Sequence, residues 1–597
     1  MKESLCSRLL ACLLFASVSG ISSCGGEPKG GPTDALADAD APGDVRQDAL
    51  PDAAPADLVQ GDSRIDAPSP DSTDLDTVEV TAPTHPTQPV EDLLPPPVPR
   101  DYLGFAPPER EPDGEPVSEE EIADFTREVT SFFKETAYFD WVYRVTHGLH
   151  ESYDPAMMPY KLWWQDEGMR REGDTIIFDH RNHAENIAKR TVKVLDGAAY
   201  GYLLTGDERM AEVAASLMHG MVALALAFET ERDVPENKYL QARSVFTHDH
   251  AYEVDGRKVA VEYGGTHEAK FKWNVHSFEI TDNPEYGTVW VNNMRSKDDV
   301  PYMFHTLAVA TRVWHEAKHE GLRNAASLYI EYMRGFAQSI VDNDWLILTR
   351  YEDGLPSMQL DTTKTKPMPA DCGSFVHWEL LFGPDAECNA QLGAALAGYG
   401  FPYEKGDCDY GEIGLPFENV AVGGNWFNHN IYNYFHIAAL SMANLWGYDE
   451  IAEKLMVGLV RRMERMRLDP DVPNKDHEEF ESDSAGWLLS AATQGYPLNA
   501  REARHIMKWY SDSAKWYRQW EHWDPWSSLE EGERLDSFKP PRAAMVDDGQ
   551  GGQTKKVHVR EVEMPYLFEY CKSPLKAPNG VKFIDCDKLA DPNRWGE

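Results

Sequence analysis

Four times in this chain an apolar stretch with helical periodicity runs into a glycine, and an alanine follows five residues later inside a second such stretch. The first passes through Ala198, Tyr202 and Leu204 to Gly206 and Ala211, the second through Leu307, Val309 and Val313 to Gly321 and Ala326. The third passes through Ile437, Leu440 and Leu445 to Gly447 and Ala452, the fourth through Trp487, Leu488 and Ala492 to Gly495 and Ala500. Apolar residues three and four apart line one face of a helix. Glycine suits the position just past a helix end because, lacking Cβ, it adopts positive φ without a clash. Alanine one turn into the next helix lets two helix axes come close. The spacing predicts helical hairpins, and so a mainly α domain whose hairpins stack as a solenoid or close into an (α/α) toroid.

An earlier helix is signalled by Ser118 followed by Glu119, Glu120 and Glu121, a capping-box pattern. Ile122, Phe125, Val129, Phe132 and Phe133 follow at helical spacing. Between the first two hairpins the period changes. Residues 252–261 alternate around Asp255 and Gly256, a hairpin signal, so a small β insertion is expected near 246–295. The tail beyond Pro540 is Gly-rich, then strand-like over 557–562. All of this belongs to one helical domain over 101–597.

The preceding residues read differently. Residues 1–23 have the parts of an export signal: Lys2 and Arg8, an apolar run over 9–18 too short to span a bilayer, then small residues. Ile21-Ser22-Ser23-Cys24 resembles the bacterial lipobox. The resemblance implies cleavage before Cys24 and a diacylglyceryl group on its sulfur, so that the chain is an extracytoplasmic, lipid-anchored protein whose partner is a membrane. Gly25, in place of aspartate, implies an outer membrane or cell-surface destination. Residues 24–100 contain 13 Asp and 14 Pro but no aromatic residue. That composition cannot offset the entropy of ordering, and an acidic, disordered, extended linker is expected. The domain beyond it carries a net charge near −32, a field that repels nucleic acid. Five cysteines follow Cys24. In an exported chain they pair, Cys571 with Cys586 and two among Cys372, Cys388 and Cys408.

A polar cluster stands before each leading helix. The clusters are Asp179-His180-Arg181-Asn182-His183, Arg295-Ser296-Lys297-Asp298-Asp299, Asn425-Trp426-Phe427-Asn428-His429-Asn430 and Glu481-Ser482-Asp483-Ser484. Asn, Asp and Ser cap helices, but a cap has no use for the arginines and histidines. If the leading helices run the same way, these clusters share one rim. Helix N-termini favour anions there. Polar groups beside the rings of Trp426, Tyr432 and Tyr434 are what sugar binding needs.

The stretch Asn428-His429-Asn430-Ile431-Tyr432-Asn433-Tyr434-Phe435-His436 resembles the Asn-His helix start of (α/α)-toroid polysaccharide lyases of the alginate-lyase type. The resemblance implies that Asn428 helps neutralise a uronate carboxylate and that His429 abstracts the C5 proton. It also implies a tyrosine proton donor, for which Tyr432 and Tyr434 are candidates, and an arginine on the sugar acid, for which Arg181 and Arg295 are candidates. Arg181, Asn182, His183, Trp426 and Asp483 complete the expected substrate-binding set. That family's acid is a tyrosine farther along the chain, yet between Tyr448 and Tyr496 there are arginines, notably Arg461, Arg462, Arg465 and Arg467, and no tyrosine. Hydrolysis by two carboxylates therefore competes, with Asp179, Asp298, Asp299, Glu481 and Asp483 suitably placed. A non-catalytic surface module binding glycan or protein is the alternative. His248, Asp249 and His250 with His267 or His276 resemble a metal site, but exposed-loop histidines are the plainer reading. No cofactor is expected.

Overall fold

The computed structural model describes residues 98–149, 154–163, 168–179, 187–228, 239–254, 256–262, 277–292, 299–342, 348–350, 356–358, 437–468, 477–518, 525–532, 534–535, 543–547, 553–557 and 563–597. Among them the chain is mainly helical, with small sheets. Helix α1 (Glu119–Glu135) opens at Ser118, whose hydroxyl accepts the Glu121 N–H while the Glu121 carboxylate accepts the Ser118 N–H at 2.8 Å. Its apolar face, Ile122 through Phe133, is buried. Helix α2 (Tyr138–Thr146) follows.

Four helix pairs carry the fold: α3 (Ile187–Thr205) with α4 (Glu208–Leu226), α5 (Asp299–Glu316) with α6 (Glu320–Asp342), α7 (Ile437–Trp446) with α8 (Asp449–Leu468), and α9 (His477–Thr493) with α10 (Ala500–Arg518). In three of them the expected glycine makes the turn, at φ 76° for Gly206, 72° for Gly447 and 100° for Gly495. The second pair differs. Its turn is residues 317–319, and Gly321 lies in the first turn of α6. There His319 does the capping, its Nδ1 accepting the Leu322 N–H at 3.0 Å, so no left-handed residue is required. Ala211, Ala326, Ala452 and Ala500 are all buried.

Helix α3 packs on α4 and α5, α6 packs on α4 and α5, α9 packs on α10, and α1 packs on α10 and α2. Helix α4 is long and apolar enough to cross a membrane, but it is mostly buried and packs on α2, α3 and α6. The turns of the four pairs share one face. The Tyr202 hydroxyl accepts the His319 N–H at 3.1 Å, joining the first turn to the second. Arg312, near the end of α5, donates to the Arg100 carbonyl at 2.9 Å, and Arg100 donates to the Gly447 carbonyl and pairs with Asp449. Leu103 covers Gly495. The C-terminal ends of α3 and α5 are thus joined to each other, and through the strap to the turns that follow α7 and α9.

Residues 98–117 form a strap across those ends, and Arg110 fastens it. Its guanidinium reaches Glu464 of α8 at 2.5 Å, Glu502 of α10 at 2.6 Å, the Tyr496 hydroxyl at 2.9 Å and the Pro497 carbonyl at 3.0 Å. Burial opposes the charge on Arg110, but Tyr496, Glu502 and Glu464 outweigh it and hold the group firmly protonated.

Five strands form one sheet in the order β10-β1-β2-β5-β4: β1 (Gly168–Glu172), β2 (Thr175–Asp179), β4 (His250–Val254), β5 (Arg257–Glu262) and β10 (Arg534–Leu535). The β4–β5 hairpin turns at Gly256, φ 76°, as its Asp-Gly signal requires. Strands β3 (Ser244–Phe246), β6 (Ser277–Asn283) and β7 (Gly287–Asn292) form a second sheet. Strands β1 and β2 lie ahead of the first helix pair, outside the expected insertion. They join β5 because Met169, Ile176, Phe178 and Val259 bury one small core with Leu529, a pairing about eighty residues apart that no local pattern announces. Two further hairpins pair β8 (Leu348–Arg350) with β9 (Pro356–Met358) and β11 (Ala543–Asp547) with β12 (Gln553–Val557). Of the strand-like 557–562 only Val557 falls among the described residues.

Short helices α11 (Pro525–Ser528), α12 (Tyr566–Lys572) and α13 (Cys586–Leu589), with 3-10 turns over Pro155–Tyr160 and Pro592–Arg594, complete the described elements. Cys571 of α12 is bonded to Cys586 of α13, the pairing expected of an exported chain. Cys24, Cys372, Cys388 and Cys408 lie outside the described residues.

Candidate functional site

Arg181, Asn182, His183, Arg295, Asp298, Trp426, Asn428, His429, Tyr432 and Tyr434 lie outside the described residues, as do His267 and His276. Their helices are informative nonetheless. The Tyr302 ring, in the first turn of α5, lies 5.4 Å from Lys189 Nζ and 5.6 Å from Lys193 Nζ, in the first two turns of α3. The N-terminal ends of α3 and α5 are thus side by side. Asp483 departs from expectation. It lies within α9, which begins at His477, so its cluster does not precede the helix. Asp179 ends strand β2, paired with Gly168 and Glu262.

A different set of ionisable groups does come together. Asp196 from α3, His305 from α5 and Glu569 from α12 meet where those three helices touch. His305 Nε2 lies 3.2 Å from Glu569 Oε1 and 4.0 Å from Asp196 Oδ2. The three side chains are 2%, 12% and 1% exposed. Two features of sequence bring them together. Tyr566, Leu567 and Phe568 bury α12 and carry Glu569 inward with them. Gly197, directly after Asp196, lets Pro565 at the head of α12 press on α3, where any Cβ would collide with the proline ring. Thr306 Oγ1 adjoins Asp196, and the Thr493 hydroxyl at the end of α9 lies 3.3 Å from Glu569 Oε1.

Two ionised carboxylates beside one imidazolium would leave net negative charge without water, which a low-dielectric interior resists. Burial, first, and the neighbouring Glu569 push the Asp196 carboxyl up to about 8, against the opposing pull of His305 and Thr306. Burial alone would lower His305, but Glu569 and Asp196 override it and raise the imidazole above its ordinary value. Near neutral pH the cluster therefore holds a protonated Asp196 beside an imidazole whose affinity for its proton is raised. His305 Nδ1 and Glu569 Oε2 have no hydrogen-bond partner among the described residues. Such an arrangement can store and exchange a proton. One turn earlier, Lys193 is paired with Glu563 at 2.5 Å.

Periodicity could not point to this cluster, but polarity could have. Asp196 interrupts Val194-Leu195-Asp196-Gly197-Ala198-Ala199, His305 sits in Met303-Phe304-His305, and Glu569 sits in Leu567-Phe568-Glu569. Each is an ionisable residue on an otherwise apolar stretch, and such residues are buried only when partnered.

The histidines at and just before the start of β4 do something else. His250 Nε2 lies 2.7 Å from the Asp154 carboxylate and its Nδ1 lies 2.8 Å from the His248 carbonyl, so both ring nitrogens are engaged and neither is left to act as a base. His248 Nε2 takes the Trp290 indole N–H at 2.7 Å. Among the described residues no three His, Cys, Asp or Glu are arranged to hold a metal ion. Comparison of the chain with protein-family models, curated proteins and solved structures finds no match.

Proposed function

We propose that the chain is a surface-anchored bacterial lipoprotein whose helical domain is an (α/α) toroid acting on an anionic polysaccharide. The observation that carries the reading is the shared turn face. With the C-terminal ends of α3, α5, α7 and α9 gathered under the strap, their N-terminal ends point to the opposite face. The segments holding Arg181–His183, Arg295–Asp298 and Asn428–His429 run in sequence directly into those ends. Contacts of α10 with α1, α1 with α2, α2 with α4, α9 with α12 and α12 with α3 support such a succession of helices. Lys189 beside Tyr302 gives the N-terminal end of α3 a cation against an aromatic ring, suited to an acidic sugar in a chain that is otherwise strongly acidic. A disulfide between Cys571 and Cys586 supports an oxidising, extracytoplasmic location.

In this reading Asn428 neutralises the sugar carboxylate, His429 takes the C5 proton, Tyr432 or Tyr434 protonates the leaving oxygen, and Arg181 or Arg295 orients the acid group. Asp298 and the neighbouring carboxylates are the hydrolytic counterpart. The test is a panel of uronate-containing and neutral polysaccharides, followed by absorbance of the unsaturated product and by reducing ends. Lyase action produces both signals, and His429→Ala abolishes them with the helical content intact. Full turnover by His429→Ala removes the assignment. Reducing ends without the absorbance identify a hydrolase, and saturable binding without product identifies a binding module. Cys24→Ala is expected to release the chain from membranes.

A further inference from the structure

We propose that Asp196, His305 and Glu569 form a proton-operated latch on the seam where α3, α5 and α12 meet, closed while the three share their protons and released when the second carboxylate ionises. The inference rests on the geometry of the cluster and not on the carbohydrate reading. Three different elements supply the three groups, so their mutual attraction or repulsion acts across the seam and not within one helix. The imidazole is within reach of both carboxylates, at 3.2 Å and 4.0 Å, but it can neutralise one. The other must keep a proton or stand as a buried, uncompensated charge.

Nothing else facing Asp196 can replace that proton. From α5 come His305 and Thr306, whereas Arg312 and Glu316, farther along that helix, act on Tyr200 and are paired with each other. From α12 comes Glu569, which adds negative charge. From α9 comes Thr493, a hydroxyl. On α3 itself, Lys193 is committed to Glu563, and Tyr200 is held protonated by burial and the nearby carboxylates. Helix α4 packs on α3, with Met210 against Gly201, and its buried residues there include Met210, Ala211, Val213, Ala214 and Leu217.

The sign of the pH response follows. Asp196 keeps its proton to about 8 in the folded chain, whereas an unfolded aspartate loses it near 4. Between those limits the folded state binds the extra proton, so its advantage shrinks as pH rises. His305, also raised, acts in the same direction. Helix α12 is the short member of the seam, and the Cys571–Cys586 bond keeps it tethered to α13 when it lets go.

Amide hydrogen exchange on the purified full chain, corrected for intrinsic chemistry, tests this between about pH 6 and about pH 9. Protection across Tyr566–Lys572 and around Asp196 is expected to fall by about tenfold or more at the higher pH, while α1 and α10 keep theirs. Asp196→Asn has nearly the same shape but no proton to lose, and its seam should be insensitive to pH. Should that variant fail to fold, Glu569→Gln removes the second charge instead and is expected to flatten the response in the same way. Unchanged protection in the wild-type chain overturns the proposal, as does an equal loss over every helix or a full pH response in the substituted chain.

Discussion

Replacing Arg110 with alanine tests whether the strap truly fastens the turn face. The side chain is 5% exposed, against 11% for Glu502 and 28% for Glu464. Removing it leaves the Glu502 carboxylate without a counter-charge, held only by the Tyr496 hydroxyl and the Asn499 N–H, and takes a donor from the Tyr496 hydroxyl. Breaking a buried pair costs about 3–5 kcal/mol, and because Glu464 retains solvent we take the lower figure, about 3 kcal/mol. A urea titration followed by tryptophan fluorescence should place the Arg110→Ala midpoint about 1 M below wild type, for a slope near 3 kcal/mol per molar. Adding Glu502→Gln removes the stranded charge, so the double variant should recover part of the loss and reveal coupling of at least about 1 kcal/mol. A cost below about 0.5 kcal/mol, or a cost unchanged by Glu502→Gln, would show that the strap merely lies on the surface.

Gly220→Ala on α4 would place a Cβ on the Lys161 backbone carbonyl, whereas Gly206→Ala meets open space but a φ of 76°. Calorimetry should find the first substitution costlier, at about 2–3 kcal/mol against about 1 kcal/mol, and a reversed order would contradict the α4 packing. Reducing the Cys571–Cys586 bond, which closes a separation of 15 residues, should lower stability by about 3 kcal/mol, read from melts with and without reductant. A chain indifferent to reductant would argue that the bond does not form in solution.

Much of the helical scaffold was written locally. The Ser118 capping box, the Gly206, Gly447 and Gly495 turns and the Asp255-Gly256 hairpin all depend on residues within a few positions of each other, so sequence spacing is sufficient to specify them. Where two local solutions compete, spacing alone misleads. Gly321 has the right distance from Ala326, yet His319 caps the following helix first, and the glycine is absorbed into its opening turn. Asp483 has the right composition for a cap, yet the helix already begins at His477.

The buried cluster belongs to the other category. Asp196, His305 and Glu569 are spread over more than 370 positions, and each alone reads as a misplaced polar residue on an apolar face. Only close approach of three helices, permitted by Gly197 beneath Pro565, makes them a set. The same holds for Arg110, whose partners arrive from α8 and α10, and for β2, which finds β5 through a shared apolar core. Backbone geometry and capping are short-range and are encoded by neighbours. The ionisation of a buried group depends on charges and solvent several ångströms away in space, and those distances exist only once the helices have packed.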